Sequence, residues 1–228
     1  MGGTAVDLPT VRTISASELA GLNRRFEQAT PQEIVAWGIE RFRAEVCLLS
    51  SFADTVLVHL ATSVDADLEV VFLDTGFHFA ETLDTVRRAQ ARLSLNLTVV
   101  RPDELAADVW RDGTDACCRD RKVALLDAAL AGRSAWMSGL RRADSAGRSD
   151  APIVSIDRRG CVKINPLANW TDTDVAAYIA DHDVLINPLA FQGYPSIGCW
   201  PCTEPVADGE DPRSGRWAGI KSECGLHL

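Results

Sequence analysis

Between residues 46 and 140 one pattern keeps returning: a short apolar run, then a longer segment with apolar residues at helical spacing. "EVCLLSS", "LEVVFLD", "NLTVVRP" and "SAWMSGL" read as four strands. "DTVLVHLATSV", "AETLDTVRRAQARLS" and "CCRDRKVALLDAALAG" read as helices that separate them. Strands joined through helices pair in parallel, and a parallel sheet needs cover on both faces. The expected fold class is therefore α/β, a mostly parallel doubly wound sheet flanked by helices. Ligands of such sheets bind beyond the carboxyl ends of the strands. The loops "SSFADT", "LDTGFHFAET" and "GLRRADSAGR" follow strands and are expected to converge there.

The flanking segments have a different texture. Residues 1–45 read as an N-terminal helical segment. "TPQEIVAWGIERFRA" opens with a Thr cap, Pro31 in the first turn and Glu33 at the third helical position. Residues 46–204 form the expected α/β domain. Within it "IVSIDRRGCVKINPL" reads as a hairpin, and "TDTDVAAYIADHD" as a helix capped by Thr171 with Asp174 at the third position. The Pro- and Gly-rich stretch from 186 onward has little periodicity. Residues 205–228 are expected to be a mobile C-terminal tail.

A formal charge of −9 argues against nucleic acid as the main partner but leaves room for a local basic pocket. No apolar run approaches the roughly 20 residues that span a bilayer. "MGGTAVDLPTVRT" lacks the basic start and apolar core of a secretion signal, so a cytoplasmic protein is expected. Seven cysteines then need a reason, since disulfides are rare in that compartment. Cys47, in an apolar run, and Cys161, at a strand start, read as structural. Cys117–Cys118 and Cys199–Cys202 form two pairs about eighty residues apart. Four thiolates are able to hold zinc or a [4Fe–4S] cluster, and "CWPC" alone also has the form of a dithiol redox motif. Adjacent side chains tend to point apart, so a Cys-Cys pair acting together is expected to strain a helix start.

"ACCRDRK", "GYPSIGCWPCT" and "KSECGLH", with "LDTGFHFAET", "GLRRADSAGR" and "VKINPLANWTDTDVAAYI", resemble the assimilatory adenylyl-sulfate (APS) reductases. These are the iron–sulfur branch of the phosphoadenylyl-sulfate (PAPS) reductase family. The resemblance runs from about residue 46 to the C-terminus and implies an adenine nucleotide alpha-hydrolase-like fold. It also implies that Cys117, Cys118, Cys199 and Cys202 ligate one [4Fe–4S] cluster. The implied substrate is adenosine 5′-phosphosulfate, and the implied reductant is thioredoxin or a similar dithiol protein, in sulfate assimilation and cysteine synthesis. With four cysteines on the cluster and two in the core, Cys224 remains as the nucleophile. A tail lets it reach the substrate and then the partner. Gly225 gives the tail freedom to bend, and His227 is expected to stabilise the thiolate or touch the substrate.

The rest of the site follows from the anionic substrate. Lys122, one turn beyond Cys118, is expected between cluster and substrate, with Arg119 and Arg121 on the same helix. Arg141, Arg142, Ser145 and Arg148 follow a strand. The resemblance gives Arg213 and Arg216 the phosphosulfate, which guanidinium forks suit. Ser50 and Ser51 are expected to cradle it with backbone N–H groups, with Asp54 and Thr55 capping the helix behind. Leu73, Asp74, Thr75 and Gly76 are expected to meet the nucleoside. The loop "SSFADT" has no glycine. It thus departs from the Ser-Gly form of the family and counts against an ATP-splitting adenylyltransferase or thiolase. A 3′-phosphorylated substrate and a non-catalytic iron–sulfur or zinc sensor stand as alternatives, and homo-oligomerisation is left open.

Overall fold

The computed structural model describes residues 14–103, 109–217 and 225. Two helices lead. Ser15 caps α1 (Ala16–Phe26) by accepting the Glu18 N–H. Thr30 and Glu33 form a reciprocal capping box on α2 (Pro31–Phe42), with Pro31 in the first turn. Each satisfies N–H groups that a helix start leaves orphaned. Then come β1 (Val46–Leu49), α3 (Val56–Val64), β2 (Val70–Leu73), α4 (Ala80–Leu93) and β3 (Leu97–Val100). The next helical stretch has three parts: α5 (Thr114–Cys118), a π-helical turn (Arg119–Val123) and α6 (Ala124–Leu130). After β4 (Ala135–Ser138) follow the hairpin strands β5 (Val154–Ile156) and β6 (Val162–Ile164). The last helix, α7 (Asp172–His182), carries the Thr171/Asp174 capping box.

The sheet order is β3-β2-β1-β4-β6-β5. All neighbours are parallel except β5 and β6. Strand residues alternate between two cores, as a pleat requires. Val46 and Leu48, Val70 and Phe72, and Ala135 and Met137 face the larger core. Cys47, Val71, Leu73 and Trp136 face the smaller one, where Leu125, Leu126 and Leu130 of α6 cover them. Burying each large side chain contributes about 1.5–3 kcal/mol. Cys47 and Cys161 are both buried here, and burial pushes the Cys47 thiol up to about 12. The N-terminal helices belong to the main core through Phe26, Ile34, Val35 and Phe42.

The segment 205–217, grouped with the tail by composition, is stitched onto the domain. The Glu204 N–H donates to the Gly215 carbonyl at 2.8 Å, and the Val206 N–H to that of Gly193 at 2.7 Å. Trp217 is buried. No helix among the described residues is long and apolar enough to cross a membrane. Strand order turns back between β1, which leads on to β2 and β3, and β4 on its other side. Adjacent crossovers diverge at such a point and leave a crevice beyond the strand ends.

Candidate active site

A cavity of about 530 Å³ fills that crevice. Its size suits a nucleotide-sized ligand. Its wall begins at the ends of β1 and β4, with Leu49, Ser50, Ser51, Ser138, Gly139 and Leu140. The glycine-free loop makes its turn by holding Phe52 at φ +53°. That is left-handed backbone, which a bulky residue adopts only under strain. Beyond it, Asp54 accepts the Val56 N–H at 2.9 Å and caps α3. Thr55 does not share the capping; its hydroxyl donates to the Leu185 carbonyl at 2.8 Å. Asp54 shows surface to the cavity, yet the protein mass around it pushes its carboxyl pKa up.

The loop after β2 contributes Leu73, Thr75 and His78 to the wall. Asp74 and Gly76 stand outside it. The Asp74 carboxylate accepts the Gly76 N–H at 3.0 Å and pairs with Arg101 at 2.9 Å, fixing a turn in which Gly76 has φ +78°. His78 was not among the sequence-derived candidates. Its Nε2 donates to the Leu73 carbonyl at 2.9 Å, and burial lowers its pKa, so it faces the cavity as a neutral imidazole. Only its place in a strand-end loop signalled it.

Five cationic side chains reach the same wall: Lys122, Arg141, Arg148, Arg213 and Arg216. Arg141 pairs with Asp144 at 3.1 Å and with Asp172 at 2.8 Å, while Arg148 pairs with Asp144 at 3.1 Å. Arg216 is buried and donates to the Ser196 hydroxyl at 2.9 Å. Arg213 and Arg216 both lie over the Trp217 ring. Arg142 is turned elsewhere. It forms a two-pronged pair with Glu27 at 2.7 and 3.0 Å and donates to the Ala151 carbonyl. Ser145, in the same loop, is likewise outside the wall.

A second, small cavity adjoins the first. Cys117, Cys118, Cys199 and Cys202 all line it, with Phe77, Trp110 and Arg121. Lys122 and Trp217 belong to the walls of both cavities. Cys118 sits in ordinary helical backbone at φ −65°, ψ −38°, so the pair does not strain its helix. Instead the helix widens into the π turn directly after it, a device common at functional sites. Cys199 is anchored to the loop after β2: the Trp200 N–H donates to the Phe77 carbonyl at 2.8 Å, and Thr75 Oγ1 lies 3.3 Å from Cys199 Sγ. Burial and the neighbouring thiols raise the Cys117 pKa to about 11 and also raise that of Cys202. Thiolates crowded in this way are stable together only beside a cation, and four soft donors suit iron or zinc. Among the described residues no three His, Cys, Asp or Glu side chains are already in ligating geometry. Of the remaining cations, Arg119 pairs with Asp120 at the surface, while Arg121 is buried over Phe77.

The sequence profile of the phosphoadenosine phosphosulfate reductase domain matches residues 45–205. The chain belongs to this family. The adenosine 5′-phosphosulfate reductase of Streptomyces coelicolor is 44% identical over 92% of this chain and 93% of its own. That of Mycobacterium tuberculosis is 43% identical over 98% and 97%. A crystal structure of the phosphoadenylyl-sulfate reductase of Candida auris, in a phosphate complex, superposes with a TM-score of 0.75 at 26% identity. It covers 84% of this chain and 98% of that one. The FMN adenylyltransferase of Candida glabrata shares the fold alone, at a TM-score of 0.59 and 14% identity over 89% of this chain and 74% of that one.

In this phosphoadenosine phosphosulfate reductase family member, the structure gathers most of the sequence-derived positions around two adjoining cavities. Thr55, Asp74, Gly76, Arg119, Arg142 and Ser145 line neither cavity. Cys224 and His227 lie outside the described residues. Gly225 has φ +85°, and a side chain there would come within 3.4 Å of Val123, next to Lys122.

Proposed function

We propose that this protein reduces adenosine 5′-phosphosulfate to sulfite and AMP, using Cys224 as nucleophile and a dithiol protein of the thioredoxin type as reductant. The observation that carries the reading is the shared wall, where Lys122 and Trp217 separate the nucleotide-sized cavity from the four cysteines. Relatives above 40% identity that are named for this reaction add to it.

Lys122, Arg213 and Arg216 would hold the phosphosulfate, with Ser50 and Ser51. The Cys224 thiolate attacks the sulfate sulfur, and the bond from sulfur to the bridging oxygen breaks. AMP leaves with that electron pair, and Cys224 carries an S-sulfo group. A partner thiolate then attacks Cys224 Sγ, and sulfite departs with the pair of the sulfur–sulfur bond. The partner's second thiol resolves the mixed disulfide. Sulfur(VI) becomes sulfur(IV), and one dithiol becomes one disulfide. Cys117, Cys118, Cys199 and Cys202 would hold a [4Fe–4S] cluster, whose chemistry there is a fixed charge and a structural clamp.

The test supplies reduced thioredoxin with either adenosine 5′-phosphosulfate or its 3′-phosphorylated form. The expected result is sulfite and AMP from the first substrate, with Cys224→Ser slower by at least about 10³-fold while still binding AMP. Faster turnover of the 3′-phosphorylated substrate would overturn the substrate assignment. Full activity of Cys224→Ser would overturn the nucleophile.

A further inference from the structure

We infer that Asn187 is a positioning residue that locks the loop Ser50–Asp54 in its ligand-ready shape. The inference rests on the reading of the large cavity as the adenosine phosphosulfate site. Phe52 is the strained point of that loop, at φ +53°. Three grips hold it. The Ser50 hydroxyl accepts its N–H at 3.1 Å. Its ring is buried and meets Phe72 edge-on at 5.6 Å. Its carbonyl accepts Asn187 Nδ2 at 3.3 Å.

Asn187 is itself fully buried, and its other bonds fix its direction. Nδ2 also donates to Thr82 Oγ1 of α4 at 3.0 Å, and Oδ1 accepts the Leu189 N–H at 3.1 Å. The chain around it lies along the same loop. Ile186 forms an antiparallel bridge with Asp54, and the Leu185 carbonyl accepts the Thr55 hydroxyl. Segment 185–187 is thus a strap across the back of the loop, with Asn187 as its side-chain tie to Phe52. A glycine would hold such a turn without help. Here a phenylalanine holds it, so an outside grip has to supply what the missing glycine does not. Releasing the carbonyl of Phe52 lets residue 52 relax toward negative φ, which moves Ser50, Ser51 and Asp54 in the cavity wall.

The experiment uses the full-length, cluster-loaded protein and compares Asn187→Ala with Asn23→Ala. Asn23 is a tie of similar kind between α1 and β5, away from the cavity, and its Oδ1 accepts the Ile153 and Val154 N–H groups. AMP affinity is measured by calorimetry, turnover on adenosine 5′-phosphosulfate by kcat and KM, and stability by thermal midpoint. The expected result for Asn187→Ala is about tenfold weaker AMP binding and a KM raised about tenfold, with kcat within about threefold. Asn23→Ala should lower the thermal midpoint with affinity and KM unchanged. If Asn187→Ala does not fold, Asn187→Ser is judged by the same criteria. Wild-type AMP affinity and KM in the folded Asn187 variant would overturn the inference and leave the functional reading standing. A wild-type protein that binds no AMP would overturn that reading, and the inference with it.

Discussion

Arg142 and Arg148 lie six residues apart in one arginine-rich loop and do different work. Arg148 lines the cavity, whereas Arg142 ties the loop to Glu27 at the end of α1. Arg142→Ala should therefore cost about 1 kcal/mol of stability and leave KM within about twofold, because a half-exposed ion pair is worth little. Arg148→Ala should raise KM by about tenfold or more, if the cavity holds the substrate as proposed, since it removes a cation from the cavity wall. The Arg142 guanidinium holds Glu27 below its ordinary value of 4.5. A lowered folded-state pKa stabilises the fold above the unfolded value, and the contribution is lost as pH falls through the folded one. Thermal melts should thus separate Arg142→Ala from wild type at neutral pH and converge in acid. The sequence could not distinguish the two arginines. Both follow a strand end, and only the irregular turns at 142–144 and 146–148 decide which way each points.

Among the elements, those with a strong period were legible: helices with caps at Thr30 and Thr171, and strands of apolar residues. The π turn after Cys118 was not, because widening one turn leaves no mark on apolar spacing. The segment 205–217, which composition groups with the tail, was not legible for the opposite reason. It has no period at all, yet a turn through Gly215 folds it back against residue 204. That turn depends on a missing side chain. A Cβ at Gly215 would lie 2.2 Å from the Glu204 carbonyl oxygen, and no rotamer relieves a backbone clash. Gly215→Ala should push Arg216 and Trp217 out of the cavity wall. The expected outcome is a KM raised about tenfold and destabilisation of about 1–3 kcal/mol, read from turnover and urea unfolding. Wild-type values for both would remove the turn from the site.

For the molecule as a whole, strand–helix alternation was enough to read a parallel, doubly wound α/β sheet from the sequence. It did not give the strand order, since β4 can add at the free edge beside β1 or at the one beside β3 without changing any local pattern. That choice matters most for function, because it opens the crevice where β1 and β4 meet. Around that crevice a chain of net charge −9 assembles cations from segments as distant as residues 122 and 216. The cysteines were legible as two pairs; that Lys122 and Trp217 form the partition between them and the cavity was not. The central claim is that this partition serves a thiol that takes the sulfo group (SO₃) from an adenylyl sulfate. It is tested most directly by intact mass spectrometry of the anaerobically purified, cluster-loaded protein, mixed with adenosine 5′-phosphosulfate and no reductant. The account predicts a stable addition of one SO₃, mapped to Cys224 and released as sulfite by reduced thioredoxin. An unmodified Cys224 in cluster-loaded protein, or an adduct on another cysteine, would contradict it.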